Sequence, residues 1–340
     1  MQSPNLAARL LVSAVAASLI ALGCTVGATP TPAAAFRIPM QLTPSNPSWA
    51  IAKDQGFLKG IDLDWVLVGY AESAQLFAAG TNPVGQESPW EAAVYTAAGD
   101  EIAYFGTASA TSLLSGVIIR SEDASKYQSL LDLKGKKVGI PGYGSGTWAA
   151  FQVLVKGLFN LDAKADFQTV EGDPGTMEGL LQTKAVDGAI AFTGGTFHML
   201  ANPAYKMLFE LSGEWKKKSG SGLTIDGQLA RRTWLDTHTE IARNLVAGID
   251  QGLQYLKDHP DLVGKGGKYE QFWQGQGLLV DDATYNKGVT ELKAGTMQLP
   301  ASTFTKDWTD DIYEFIQLGP GILAPTIPPK DKLFYLPLLR

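Results

Sequence analysis

The sequence predicts an α/β protein of two lobes, each a sheet covered by helices, with a cleft between them. Three observations carry that prediction. From Phe36 onward the apolar pattern switches repeatedly between a strand-like and a helix-like period, the alternation expected of a parallel sheet with covering helices. About 305 residues follow position 35, room for two domains at roughly 150 residues each. A charged segment at 120–126 and a polar one at 212–221 interrupt the series, and there the chain is expected to leave the first lobe and to return to it. The expected division is 36–119 and 222–340 for lobe 1 and 120–221 for lobe 2, with hinge crossings near 119–122 and 221–224.

Lobe 1 opens with a strand at 36–42, the loop 43–47 and a helix from Ser48 to Phe57. A strand at 63–68, a helix at 71–79, a short strand at 83–87, a helix at 90–98 and a strand at 102–105 follow. The β-rich run 114–119 leads to the first crossing. In lobe 2 the strands fall at 137–140, 167–171, 188–192 and 207–211, and the helices at 147–159, 176–183 and 196–201. A strand-like run at 223–229 begins the return, and long helical patterns occupy 239–257 and 304–317. The first of these stops before His259-Pro260, because the residue ahead of a proline disfavours the helical region.

Residues 1–23 have the layout of a signal peptide: a short polar start with one basic side chain, Arg9, an uncharged apolar run over 10–22, and Gly23 before Cys24. That run is shorter than the roughly 20 residues that span a bilayer, and no later window is longer, so no membrane-spanning helix is expected. Ala21-Leu22-Gly23-Cys24 resembles a bacterial lipobox. Cys24 is the only cysteine and cannot form an internal disulfide. Its expected role is lipidation, palmitate included, which would tie the chain to the outer face of the cell membrane. Residues 24–35, rich in Thr, Pro and Ala, read as a tether.

The formal charge of -6, with both signs interspersed, argues against a nucleic-acid surface. The three histidines, His198, His238 and His259, are spread over both expected lobes. No Gly-x-Ser-x-Gly elbow, His-Glu-x-x-His or Cys-His pairing is present, so neither a catalytic centre, a metal site nor a cofactor is expected.

Three stretches carry a family resemblance: Trp49-Ala-Ile-Ala-Lys-Asp-Gln-Gly-Phe57, Leu131-Asp-Leu-Lys-Gly-Lys-Lys-Val-Gly-Ile-Pro141 and Leu180-Leu-Gln-Thr-Lys-Ala-Val-Asp-Gly-Ala-Ile190. They resemble the type 2 periplasmic-binding-protein-like proteins that bind sulfonates, taurine, nitrate, thiamine precursors and riboflavin for ABC importers. The likeness covers nearly all of 36–317. It implies a monomer that closes over a small solute and delivers it to a membrane permease and, through it, an ATPase. In such proteins the first stretch is the opening helix, the second enters lobe 2, and the third ends in a strand whose tip faces the ligand. Some relatives of this fold make the thiamine pyrimidine, and others signal to a receptor, so an enzyme and a sensor are the competing classes. One departure is the short strand Val84-Gly-Gln-Glu-Ser-Pro89, which ends in polar Gln86 and Glu87.

Open α/β sheets bind ligands beyond the carboxyl ends of their strands. The loops there are 41–49, 69–73, 86–90 and 106–111 in lobe 1 and 141–148, 171–176 and 192–197 in lobe 2. None contains Lys or Arg, and 60–119 has no basic residue at all. They carry the aromatic residues Trp49, Trp90, Tyr143, Trp148, Phe192 and Phe197, with Gln41, Asn46, Gln86, Glu87, Ser145, Thr147 and Thr193 as polar partners. The glycine-rich turn 142–147 is either a helix N-terminus that receives an anion or a turn that needs glycine for its backbone, and the sequence leaves both open.

A small tetrahedral anion gains most from charge-assisted bonds, commonly to arginine. Aromatic faces gain about 0.5–1.5 kcal/mol per stacked ring beyond burial. The expected ligand is accordingly largely neutral and partly aromatic. Within the resembled family the order is riboflavin, then a thiamine-type pyrimidine, then an organosulfonate.

Overall fold

The computed structural model describes residues 34–107, 115–172 and 174–339. The expected signal peptide, Cys24 and the tether up to residue 33 lie outside them. Ala34 and Ala35, expected as the end of the tether, already belong to the first strand.

That strand, β1 (Ala34–Met40), runs parallel to β2 (Ile61–Leu67), and the helix α1 (Pro47–Asp54) connects them. Alternation shapes β2: Ile61 and Leu63 are buried while Asp62 and Asp64 face solvent. Proline at the start of α1 has no N–H to leave unpaired there. Helix α2 (Tyr70–Ala78), β3 (Val84–Glu87), α3 (Glu91–Ala97) and β4 (Ile102–Thr107) follow. A three-stranded sheet then forms when a much later strand, β10 (Gly227–Arg231), inserts antiparallel between β3 and β4.

Besides the β1–β2 pair and the three-stranded sheet there is a five-stranded sheet, the second of the two larger ones, with the order β7-β6-β8-β5-β9. Its strands are β5 (Ser115–Arg120), β6 (Lys137–Ile140), β7 (Gln168–Glu171), β8 (Gly188–Phe192) and β9 (Tyr205–Glu210). The helices α4 (Gly146–Phe159), α5 (Met177–Gln182) and α6 (Thr193–Ala201) alternate with these strands.

Membership of β5 differs from the sequence expectation, which put residues up to 119 in lobe 1. The strand pairs antiparallel with β8 and β9, and Val117, Ile118 and Ile119 are fully buried as the interior of the second sheet. β4, which ends at Thr107, thus lies in the three-stranded sheet, and β5, which starts at Ser115, in the five-stranded one. A short β-branched run announces a buried strand but carries no mark of which sheet will pair with it. At its end Arg120 donates to the carbonyls of Leu181 (2.9 Å) and Val186 (2.7 Å) and pairs with Asp123 at 2.6 Å.

The polar segment 212–221 also differs, because it forms the helix α7 (Leu211–Ser219). Three lysines near its end are consistent with the helix dipole, Trp215 is wholly buried, and Gly220 stops it in the left-handed region at φ 91°. The strand expected at 223–229 starts only at Gly227.

The remaining helices are α8 (Arg232–Thr237), α9 (Thr239–Asp258), α10 (Glu270–Gln274), α11 (Asp282–Ala294), α12 (Lys306–Ile316) and α13 (Lys330–Leu333). Helix α9 lays Leu245, Ile249, Leu253 and Leu256 against the core, the spacing of one helical face. Its Gly252 lets α1 approach so closely that a Cβ would run into the Ser48 carbonyl. Helix α12 touches both sheet units. Trp308 stacks on Tyr104 of β4 at 5.4 Å, and Phe315 meets Trp90 at 5.2 Å and Trp215 of α7 at 5.4 Å.

Candidate functional site

The β1–α1 loop is the hub of the site. Asn46 is completely buried; its Nδ2 donates to the Gln41 carbonyl and its Oδ1 accepts from Gln86 Nε2, both at 2.6 Å. One residue earlier, Ser45 Oγ donates to Asp226 Oδ2 at 3.2 Å. Gln298 Nε2 holds the loop from behind, donating to Ser45 O at 3.2 Å and Ser48 Oγ at 2.8 Å. This brings Gln41, Asn46 and Gln86 together at the ends of β1 and β3.

Two atoms of the cluster have no partner: Gln41 Nε2 and Gln86 Oε1, on side chains only 8% and 4% exposed. A buried donor or acceptor left unmade costs about 1–3 kcal/mol, so such atoms are places where a solute can bond. Glu87, 3% exposed, ends β3 beside them.

The two sheet units meet where Trp90 Nε1 donates to the Gly146 carbonyl at 3.0 Å. Gly146 is flush against Ser88, whose Oγ a Cβ would strike. Farther along, Gly194 of α6 lies against the Gln276 backbone in the same way. Lys156 of α4 donates to Pro320 O at 3.0 Å.

The aromatic residues expected at the cleft divide by environment. Trp49, Trp90 and Trp148 are completely buried. Trp90 spends its N–H on Gly146 and its ring on Phe315. Trp148 stacks on Phe151 at 5.6 Å, yet its Nε1 has no partner, and neither does that of Trp49. Tyr143 is 48% exposed, edge-on to Trp148, with its hydroxyl 2.7 Å from Thr169 Oγ1. Phe192, half-buried, caps α6, and Phe197 is buried. Thr193 opens α6, and its side chain lies outside the described residues, as do positions 108–111 of the fourth loop.

The turn before α4 has a structural occupant. Ser145 caps the helix by accepting from the Trp148 N–H at 3.2 Å, and Thr147 is buried in the first turn. The Glu171 carboxylate accepts the Tyr143 N–H at 2.9 Å, so a negative group of the protein already sits beside the glycine-rich turn. That arrangement repels an oxyanion at this spot.

The sequence does not single out Asp226, because it lies inside the continuous strand-like run 223–229. It stands one residue before β10, partly buried, with Ser45 and the Gly227 N–H bonded to its carboxyl. Burial, reinforced by the charge of Glu91, pushes this carboxyl up to about 7. The Tyr104 hydroxyl donates to its main-chain carbonyl at 3.3 Å and is raised well above the ordinary phenol range, first by its own burial. Among the described residues no cluster of His, Cys, Asp and Glu suits a metal ion.

This architecture is that of the periplasmic binding proteins. The periplasmic aliphatic sulphonate-binding protein of Escherichia coli superposes with a TM-score of 0.64 at 14% identity over 90% of this chain and 98% of its own. The alkanesulfonate-binding protein of Xanthomonas axonopodis pv. citri, solved with MOPS, gives 0.60 at 18% identity over 91% and 99%. The periplasmic nitrate-binding protein of Synechocystis PCC 6803 gives 0.61 at 11% identity over 90% and 86%. No curated protein sequence matches the chain. The NMT1/THI5-like family matches residues 48–262, and the chain belongs to it.

Proposed function

We propose that this chain is the extracytoplasmic solute-binding lipoprotein of an ABC importer, which closes over a small, partly aromatic solute and presents it to a permease coupled to an ATPase. Structural neighbours that bind sulfonates or nitrate support the binding role. The observation that carries the solute class is the charge of the site: Glu87, Glu171 and Asp226 stand at the loops and no Lys or Arg does. Riboflavin is the first candidate, a thiamine-type pyrimidine the second and an organosulfonate the third. The residues proposed to touch it are Gln41, Asn46, Trp49, Gln86, Glu87, Tyr143, Ser145, Thr147, Trp148, Phe192 and Thr193. Trp90 is proposed as the contact that latches the two units, since both its N–H and its ring are engaged by protein.

Cys24 is proposed as the acylated anchor. No helix among the described residues is long and apolar enough to cross a membrane, so attachment in this reading rests on the lipid. Mass spectrometry of solute released from the purified protein tests the ligand class. Tryptophan fluorescence titrated with riboflavin and with taurine ranks the candidates, and tight taurine binding without riboflavin binding overturns the order.

A further inference from the structure

The return of the chain into the first sheet places a carboxylate against the loop that carries the polar cluster. Ser45 bonds Asp226 while its neighbour Asn46 bonds Gln86, so Asp226 and the unpartnered atoms of Gln41 and Gln86 border the same turn. Among the described residues no Lys or Arg makes an ion pair with Asp226. Among the described residues, the charged side chain acting on it is Glu91 of α3, which has the same sign. The other groups facing it are neutral: Ser45, the Gly227 N–H and the Tyr104 phenol of β4.

A partly buried carboxylate without a counter-charge is costly unless something supplies one. The nearby amide atoms add the directional part: Gln41 Nε2 can donate and Gln86 Oε1 can accept. A flat group with a cationic edge and an adjoining acceptor satisfies all three at once.

We infer that Asp226 is the specificity-determining carboxylate of the site, and that the solute it selects carries a cationic or cationisable nitrogen of the amidinium or protonated-amine class. This rests on the solute-binding reading above and, within it, favours the second candidate, the thiamine-type pyrimidine, over riboflavin. The carboxylate and the cation attract each other while the unpaired amides fix the plane of the group, which is the geometry of charge-assisted bonding. An oxyanion at the same place meets Asp226 and Glu91, both of one sign. Because burial pushes the carboxyl up to about 7, binding a cation draws it to the charged form and releases a proton.

Three probes with one ring and three charges test this by calorimetry on the purified protein: benzamidinium, benzamide and benzenesulfonate. Benzamidinium is expected to bind about tenfold tighter than either of the others, with the advantage lost in Asp226→Asn. On the unaltered protein its affinity rises with pH up to about 7 and then levels off, and it releases a proton detectable as a dependence of the binding heat on buffer. Equal or tighter benzenesulfonate binding, no benzamidinium binding at millimolar concentration, or an unchanged affinity in Asp226→Asn each overturns the inference. If Asp226→Asn fails to fold, the order of the probes and the pH dependence of the unaltered protein decide. Riboflavin bound equally by both proteins would leave the solute-binding reading standing and remove this one. Failure of every solute, including those recovered by mass spectrometry, would remove both.

Discussion

Replacing Asp226 by asparagine is expected to make the protein more stable at neutral pH, since it removes a partly buried ionisable group that no Lys or Arg among the described residues pairs with. The magnitude follows from the carboxyl being held near 7 instead of 3.8, a displacement of roughly three pH units worth about 1.4 kcal/mol each. The full figure of about 4 kcal/mol is an upper bound, because the asparagine amide is also desolvated and the carboxylate retains some water; about 1–3 kcal/mol is the expected gain. Its pH dependence has a definite sign. The folded form binds the proton more tightly than the unfolded form, so the native protein loses stability as pH rises from about 4 to about 7 and is level beyond that. The gain from Asp226→Asn should therefore be absent near pH 4 and complete near pH 8. Urea unfolding followed by tryptophan fluorescence at several pH values measures it, and an equal slope for both proteins confirms that the same surface is exposed. A gain of the same size at every pH, or a loss at pH above 7, would show that burial of the carboxylate is compensated in some other way.

Other perturbations read other parts of the molecule. Gly146→Ala puts a methyl group against Ser88 and 3.4 Å from Glu91 Oε1, so the Trp90–Gly146 contact is expected to open and solute affinity to fall about tenfold. Small-angle scattering should then show no compaction on adding solute, while an unchanged affinity would remove Trp90 as a latch. Arg120→Met leaves the carbonyls of Leu181 and Val186 and the carboxylate of Asp123 without their donor, at a cost of about 3–5 kcal/mol in urea unfolding. At Asp54 burial alone would raise the carboxyl, but bonds from Lys268 at 2.7 Å and Tyr269 at 2.6 Å outweigh it and hold it below its ordinary value. Its contribution is thus present above pH 3.8 and lost as pH falls through the lower folded value, so Asp54→Asn should cost about 1 kcal/mol at neutral pH and little in strong acid.

Much of the secondary structure was legible because it rests on local periodicity. Residues 137–140 and 188–192 form the strands expected of them, and the helix at 239–257 ends within one residue of expectation, where His259-Pro260 stops it. What escaped was set by partners distant in sequence. The run 114–119 reads as a strand in any sheet, and only hydrogen bonds to residues about seventy or more positions later assign β5 to the second one. Segment 212–221 reads as a linker because its polarity hides a large apolar contact, Trp215 against Phe315.

For the site the division is similar. Sequence alone determined that the loops at the strand ends hold tryptophans, amides and acids and contain no Lys or Arg, since charge and residue type need no coordinates. Only the tertiary structure decided which of those groups act together. It joined Gln41, Asn46 and Gln86 in one hydrogen-bonded chain, engaged Trp90 with Gly146, and set Glu171 beside the turn that looked ready for an anion. It also brought Asp226 next to Ser45, a juxtaposition of residues 181 positions apart. Composition states which charges a chain carries; burial and pairing depend on distances that arise only when remote segments pack, and here those distances turn a run of strand-like residues into a carboxylate facing the site.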